Sequence, residues 1–512
     1  IQPLAAHRAG QGLRVKVVDV QDIYDEFNGG LPSAEAIRDF LAYAYFNWQP
    51  PAPAYVLLVG DGTFDMRDYM GTGEPTYIPP YLEFVDPWLG ETASDNRFVT
   101  IVGDDNLPDM AIGRLPVNSP EEATIMVNKI IDYETNPPSG DWDKQVLFVS
   151  DNPDAAGDFY ALSDDAAAHI PEGYTINKVY YGQTHTTIDD ARTAIVDGIN
   201  AGQLFVNYIG HSAIQFWAHE KLFRLDTEVP LLNNGGKLPV MLPMTCYDGY
   251  FHYPGYPSLE ESLVRWNGGG AVAAWAASGL GIAHGHDYLN RGFFDAVFQD
   301  GITRLGLATI AGKLNLYTHS TAYRDLIDTF NLLGDPALVL PVSPPTGSIG
   351  GYVFLDANGN GVRDYGEFNG IRGVRIDLTQ PGGEVISTYT VGDSGWYEFQ
   401  NLPIGTYTVT EEQPVGYVST SPDSVVVEVA ANTQQIVNFG EMPATETLTP
   451  TPTLTSTPTP TMTPTSTPTF TYTPTPTSTP TATLTPTSTP TPSPTPREQP
   501  AWGLYLPLVL RE

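Results

Sequence analysis

Cys246 is the single cysteine among 512 residues, and it closes the apolar run LPVMLPMT just before a polar YDGY. A thiol at a strand end can act as a nucleophile once a base takes its proton. His211 is the candidate base, because it closes a second apolar run of strand length, LFVNYIG. A third run, QVLFVS, ends in Asp151. Thiol, imidazole and carboxylate, each at the end of a strand-length run, are the groups that acyl transfer through a covalent intermediate requires. Two plainer uses compete with this. A free cysteine is commonly a small buried hydrophobe, and Gly210-His211-Ser212 begins a GxSxG serine elbow, although Ile214 stands where the closing glycine is needed.

These residues need elements to deliver them to one place. From Leu13 the chain alternates strand patterns with helical ones: LRVKVVDV, then SAEAIRDFLAYAYFNW, then AYVLLVGDG. The alternation resumes after Asp141 with QVLFVSDNPD, a helix, TINKVYYG, a second helix and the two runs ending in His211 and Cys246. Such alternation predicts a parallel sheet, whose ligand crevice lies outside the carboxyl ends of its strands. Between Pro75 and Arg114 the segment reads as loops around a short strand, FVTIVGDD, with Asp95 capping a turn or facing the crevice. Helix EEATIMVNKIIDYETN then stops at Pro137-Pro138, where a subdomain boundary is expected. GGGAVAAWAASG reads as a further buried strand, with Trp275 and Ser278 as candidate walls of a cleft. Asp61, Asp65 and Asp68 match no specific metal spacing, and His284, His286 and Asp287 form only a weak one.

The phrases NYIGH, WAHE, TCYDGYF, GGGAVAAWAASGL and NLLGDPAL, with YVLLVGDGTFD, ASDNRF and DMAIGRLPV upstream, resemble the gingipain-type cysteine peptidases of the caspase-like clan over most of residues 1–341. The resemblance implies a caspase-like α/β/α sandwich of two subdomains and hydrolysis of peptide bonds in protein or peptide substrates. It implies Cys246 as nucleophile, His211 as base and Asp151 as the residue orienting the imidazole. It also implies an oxyanion hole from the backbone N–H groups of Cys246 and of the residue after the histidine, which is Ser212 here and usually glycine in the family. Asp158 falls near the acidic residue that receives an arginine side chain before the scissile bond. A further strand precedes LRVKVVDV in the family, so a sheet lacking one strand, or one supplied by sequence beyond these 512 residues, is expected.

Beyond a Pro-rich joint at 341–346, alternating runs over 347–441 predict an all-β sandwich. Within it DANGNGVRDYGE places Asp356, Asn358, Asn360, the Val362 carbonyl, Asp364 and Glu367 at positions 1, 3, 5, 7, 9 and 12 of a calcium loop, with Gly361 at the turn. Ca2+ is therefore the expected cofactor. The module resembles the SdrD B-like branch of the Cna-B domains, which implies a surface stalk stiffened by calcium. No lysine occurs between Gly347 and Gly440, so the Lys-Asn isopeptide crosslink of many relatives is excluded.

A formal charge of -35, from 59 acidic against 24 basic side chains, argues against nucleic acid and anionic membranes as partners. One cysteine excludes an intrachain disulfide and a Cys-rich zinc site. Residues 445–497 are almost entirely Thr and Pro with some Ser, a composition that predicts a disordered, extended spacer. The apolar stretch within 498–512 is too short to span a bilayer and reads as a sorting tag or a β-segment. No secretion signal is read in the first residues, yet stalk and spacer point to a secreted or cell-surface protein. The expected division is 1–138 and 139–341 for the α/β part, 347–441 for the sandwich, then spacer and tail. The expected function is a secreted cysteine endopeptidase; the alternatives are an inactive surface scaffold and a domain that processes only its own precursor.

Overall fold

Nine short strands of the first 341 residues join one mixed sheet, in a computed structural model that describes residues 1–343, 346–431, 433–444 and the backbone of 508–511. In chain order they are β1 (Arg14–Val17), β2 (Tyr55–Val59), β3 (Ala111–Leu115), β4 (Gln145–Ser150), β5 (Thr175–Tyr180), β6 (Phe205–Ile209), β7 (Val240–Met244), β8 (Ala273–Ala277) and β9 (Phe330–Leu333). Across the sheet the order is β1, Leu508–Arg511, β2, β3, β9, β8, β7, β6, β4, β5. Strands β2, β3 and β6 to β9 are buried at nearly every position, which is why they read as continuous apolar runs and not as alternating ones. The central pairs β4–β6, β6–β7 and β7–β8 are parallel, while β8–β9 is antiparallel.

Helices between the strands start where the sequence offers caps. Ser33 accepts from Ala36 N ahead of Ala34–Asn47, Ser119 from Glu122 N ahead of Pro120–Thr135, and Thr187 from Asp190 N ahead of Ile188–Ala201. One apolar core runs from Leu4 to Val342, so the segments on either side of Pro138 share both the sheet and its packing.

Two expectations change here. FVTIVGDD forms no strand, because the Asp109 carboxylate takes the Ile101 and Val102 N–H groups at 2.7 and 2.8 Å, donors a ladder would use. A hairpin of Leu82–Asp86 with Gly90–Ala93 lies upstream of it instead. The position between β1 and β2 is filled by Leu508–Arg511, antiparallel to both, so the apolar tail contributes a β-segment.

The second domain is a sandwich of two sheets. One joins Trp396–Pro403, Thr346–Leu355, Phe439–Pro443 and Tyr417–Ser419; the other joins Val385–Tyr389, Arg375–Thr379, Gly405–Glu411 and Ser424–Val429. Its own core includes Ile349, Val353, Ile376, Tyr397, Val409 and Phe439. The Thr/Pro-rich spacer 445–497, the tail outside 508–511 and two prolines of the joint, Pro344 and Pro345, lie outside the described residues.

Candidate active site

Strands β6 and β7 lie side by side with Ile209 opposite Met244. Two residues beyond each strand end come His211 and Cys246, so the register delivers imidazole and thiol to the same edge. Strand β4 flanks β6 with Ser150 opposite Ile209, which brings Asp151 beside Gly210. A β-carbon on Gly210 would stand 2.4 Å from Asp151 Cβ and 2.6 Å from Tyr208 Oη, so the close approach of these strand ends requires glycine. Hydroxyls then lace the two loops: Ser212 Oγ donates to the Cys246 carbonyl, and Thr245 Oγ1 donates to the Gly210 carbonyl at 2.6 Å. Directly after the thiol, Tyr247 has φ 59°, a left-handed conformation that costs a β-carbon-bearing residue free energy and is held by its N–H bond to Gly279 O.

The His211 side chain is 48% exposed, and its Nε2 lies 2.9 Å from Asp154 Oδ2. The Phe159 ring meets the imidazole edge-on with centroids 5.3 Å apart. Asp154 is itself fixed by the Ala156 N–H at 2.7 Å, and that bond together with His211 holds its carboxyl below the ordinary range. Asp151 meets the backbone and not the ring: its carboxylate accepts from His211 N at 3.3 Å and from Asn152 N at 2.8 Å. Burial pushes Asp151 upward, against those two N–H bonds. Asp154 is thus the ring's partner and was missed from sequence, where strand-end position favoured Asp151.

Cys246 Sγ accepts from Gly281 N at 3.4 Å and lies 3.6 Å from Gly281 O. Burial pushes the thiol up to about 11, with the Gly281 N–H pulling down and the charges of Asp248 and Asp86 adding to the rise. Among the described residues no hydrogen bond joins the thiol to the imidazole; each has the partners just named. Ser212 opens a two-residue strand paired with Phe216–Trp217 and has no positive φ, so a β-carbon there is unstrained.

Asp158 caps the helix Phe159–Ala167, accepting from Ala161 N at 3.1 Å, and is exposed one residue from the ring that contacts His211. Trp275 and Ser278, the expected cleft walls, are interior side chains. Trp275 stacks on Phe293 in the core, and Ser278 Oγ donates to the Ala93 carbonyl, both side chains being fully buried. His286 is buried and held down at about 4 by desolvation, while Asp287 pairs with Arg291 at 2.6 Å. Asp95 grips Arg114 at 2.7 Å in the interior, a structural role, and Arg97 goes to Asp328 instead. Asp61, Asp65 and Asp68 are likewise taken up by N–H donors of their own loops and by Arg265.

In the sandwich, the loop Asp356–Glu367 closes on itself. Asp356 Oδ1 and Oδ2 accept from Gly359 N and Gly361 N, both at 2.7 Å, and the amides of Asn358 and Asn360 converge on Asp364 Oδ2 at 2.8 Å. Glu367 spans the loop, taking Ala357 N and Asp364 N at 2.9 Å. Gly361 has φ +75°, and a β-carbon on it would lie 2.6 Å from Thr420 O.

A mixed sheet with histidine and cysteine at neighbouring strand ends, followed by a β-sandwich, has the architecture of a cysteine peptidase fold joined to an all-β module. The chain belongs to peptidase family C25, whose model matches residues 1–341, and residues 347–441 match the SdrD B-like domain. It is 25% identical over 352 residues to gingipain R2 and to gingipain R1 of Porphyromonas gingivalis, covering 66% of this chain in both cases. It spans 43% and 32% of those relatives' own lengths, under half of each. The fold matches the crystal structure of an Arg-specific cysteine proteinase, gingipain R, with TM-score 0.52 at 21% identity, over 81% of this chain and 90% of that one. The chain is also 36% identical over 105 residues to serine-aspartate repeat-containing protein F of Staphylococcus epidermidis, 20% of this chain and 6% of that protein.

Proposed function

We propose that this protein is a secreted or surface-attached cysteine endopeptidase in which Cys246 attacks the peptide carbonyl and His211 moves the proton. The observation that carries this reading is the register of β6 against β7, which sets the two side chains at equal distances beyond paired strand ends and bonds their loops through Ser212. With Nε2–H donated to Asp154, Nδ1 is the ring nitrogen left to accept. It takes the thiol proton as sulfur bonds to the carbonyl carbon, and the carbonyl oxygen becomes the oxyanion. The proton then passes to the leaving amine as the C–N bond breaks, and water hydrolyses the thioester. The Cys246 and Ser212 N–H groups are the proposed oxyanion donors, each worth about 3 kcal/mol in comparable sites. A thiol held near 11 is about one ten-thousandth ionised at neutral pH, so proton transfer accompanies substrate attack and no resting ion pair is required.

Asp151 fixes the His211 backbone and Asp154 the ring. Asp158, beside Phe159, is the proposed receiver of a basic residue before the scissile bond, in keeping with the Arg-specific relative of the same fold. The loop 356–367 fits Ca2+: three carboxylates, two amide oxygens and the Val362 carbonyl are all hard oxygen donors, and two side-chain amides now converge on the carboxylate oxygen that a cation would share. When bound, the ion supplies charge neutralisation and a crosslink within the loop.

The test is labelling by a thiol-directed peptidyl inhibitor, with the adduct located by mass spectrometry. The proposal expects an adduct on Cys246 that is lost in His211→Ala. An unlabelled parent favours the inactive scaffold, a reading the burial of the thiol supports; labelling without turnover of added protein favours processing of its own precursor alone.

A further inference from the structure

Outside the calcium loop, three carboxylates converge at one end of the sandwich. Glu411 ends the strand Gly405–Glu411, Asp423 precedes Ser424–Val429, and Glu441 lies within Phe439–Pro443. An oxygen from each lies within 4.8 Å of the other two. Glu411 and Glu441 are 4% and 0% exposed, and both oxygens of Glu411 and Oε1 of Glu441 have no hydrogen-bond donor. Gln413 Nε2 donates to Glu441 Oε2 at 2.6 Å and leaves the other three buried oxygens unserved.

Buried carboxylate oxygens without donors cost free energy unless a positive charge or a proton meets them. The domain offers few cations, and two of its three arginines are engaged elsewhere. No lysine occurs between Gly347 and Gly440, Arg363 lies 3.7 Å over the Tyr352 ring, and Arg375 pairs with Asp377 at 2.9 Å. The donor set is oxygen only, which selects hard divalent cations, and bidentate carboxylates around an irregular site suit Ca2+ better than the octahedral, water-retaining Mg2+. Exposed Asp423 gives the ion a route in, and its carbonyl is already bonded to Glu411 N at 2.8 Å.

We propose that Glu411, Asp423 and Glu441 form a second Ca2+ site, separate from the loop 356–367. The two sites meet on paired strands: Leu355, just before the loop, lies opposite Glu441, whose carbonyl accepts from the N–H of Asp356, the first residue of the loop, at 3.0 Å. Filling one therefore braces the backbone that carries the other.

Isothermal titration of Ca2+ into the chelator-stripped full chain tests this. The parent should take up about two ions, Glu367→Gln about one, and the double variant Glu411→Gln with Glu441→Gln about one. The exposed Asp423→Asn, which leaves the interior untouched, should weaken one of the two sites by about tenfold while circular dichroism stays that of the parent. Unchanged uptake and affinity in both the double variant and Asp423→Asn would overturn the second site and assign the buried pair to a shared proton. A loss of uptake in Glu367→Gln in that same experiment would show the loop binding Ca2+ regardless, so the two sites are judged separately.

Discussion

Replacing Asp154 by Asn preserves side-chain size but removes the charge that faces His211 Nε2. The imidazolium formed during proton transfer then loses its counter-charge, and kcat/KM should fall by about tenfold to a hundredfold, the low end for general acid-base partners because the pair is half exposed. Asp151→Asn should act differently: it breaks an N–H acceptor and costs about 1 kcal/mol of stability, read by denaturant unfolding, with a smaller effect on kcat/KM. Equal catalytic losses would contradict the division of roles. The thiol offers a pH test. A raised value means Cys246 stays protonated at neutral pH and ionises as pH climbs toward about 11, so its alkylation by iodoacetamide should keep accelerating through about pH 10. A plateau reached near neutral pH would instead reveal a resting thiolate-imidazolium pair.

At the scale of elements, the helix Leu259–Arg265 packs an acid against the loop behind the nucleophile. Glu260 and Asp248 are fully buried, and burial raises both, with Asp248 also raising Glu260 and the Trp217 N–H pulling Asp248 back down. Carboxyls held above their ordinary range contribute stability that is present in acid and lost as pH rises. Glu260→Gln should therefore gain in Tm relative to the parent between about pH 5 and about pH 8, and a pH-independent difference would contradict this. The strands that build the site were legible because buried parallel strands must be apolar throughout and end abruptly in polar residues. The partner of His211 was not, since Asp151, Asp154 and Asp158 all follow β4 and only the folding back of Asp154–Gly157 decides which one reaches the ring. Trp275 and Ser278 were misplaced for a similar reason: a small-residue strand reads alike whether ligand or neighbouring backbone approaches it. The loop 356–367, the proposed calcium site, could be picked out because its candidate ligands follow a fixed local spacing, and the structure closes it on itself through Asp356, Asp364 and Glu367. Glu411, Asp423 and Glu441 lie on three different strands or turns, and only the sandwich brings them together.

At the scale of the whole molecule, the acidic chain joins a C25 peptidase domain to an SdrD B-like sandwich with a separate core. Calcium removal should then act on one core and spare the other. With free Ca2+ about a hundredfold above Kd, chelation should lower the sandwich's stability by about 2.7 kcal/mol for each site it empties, seen as a shift of one unfolding transition, while inhibitor labelling of Cys246 persists. Loss of labelling on chelation would mean that the peptidase fold depends on the ion as well. The central claim, that paired strand ends make a working nucleophile and base, is tested most directly by incubating an unfolded protein substrate with parent, Cys246→Ala and His211→Ala and sequencing the product termini. The account predicts new termini with the parent, most of them after basic residues, and none with either variant. Cleavage that survives in Cys246→Ala, or a substrate left intact by the parent, would contradict it.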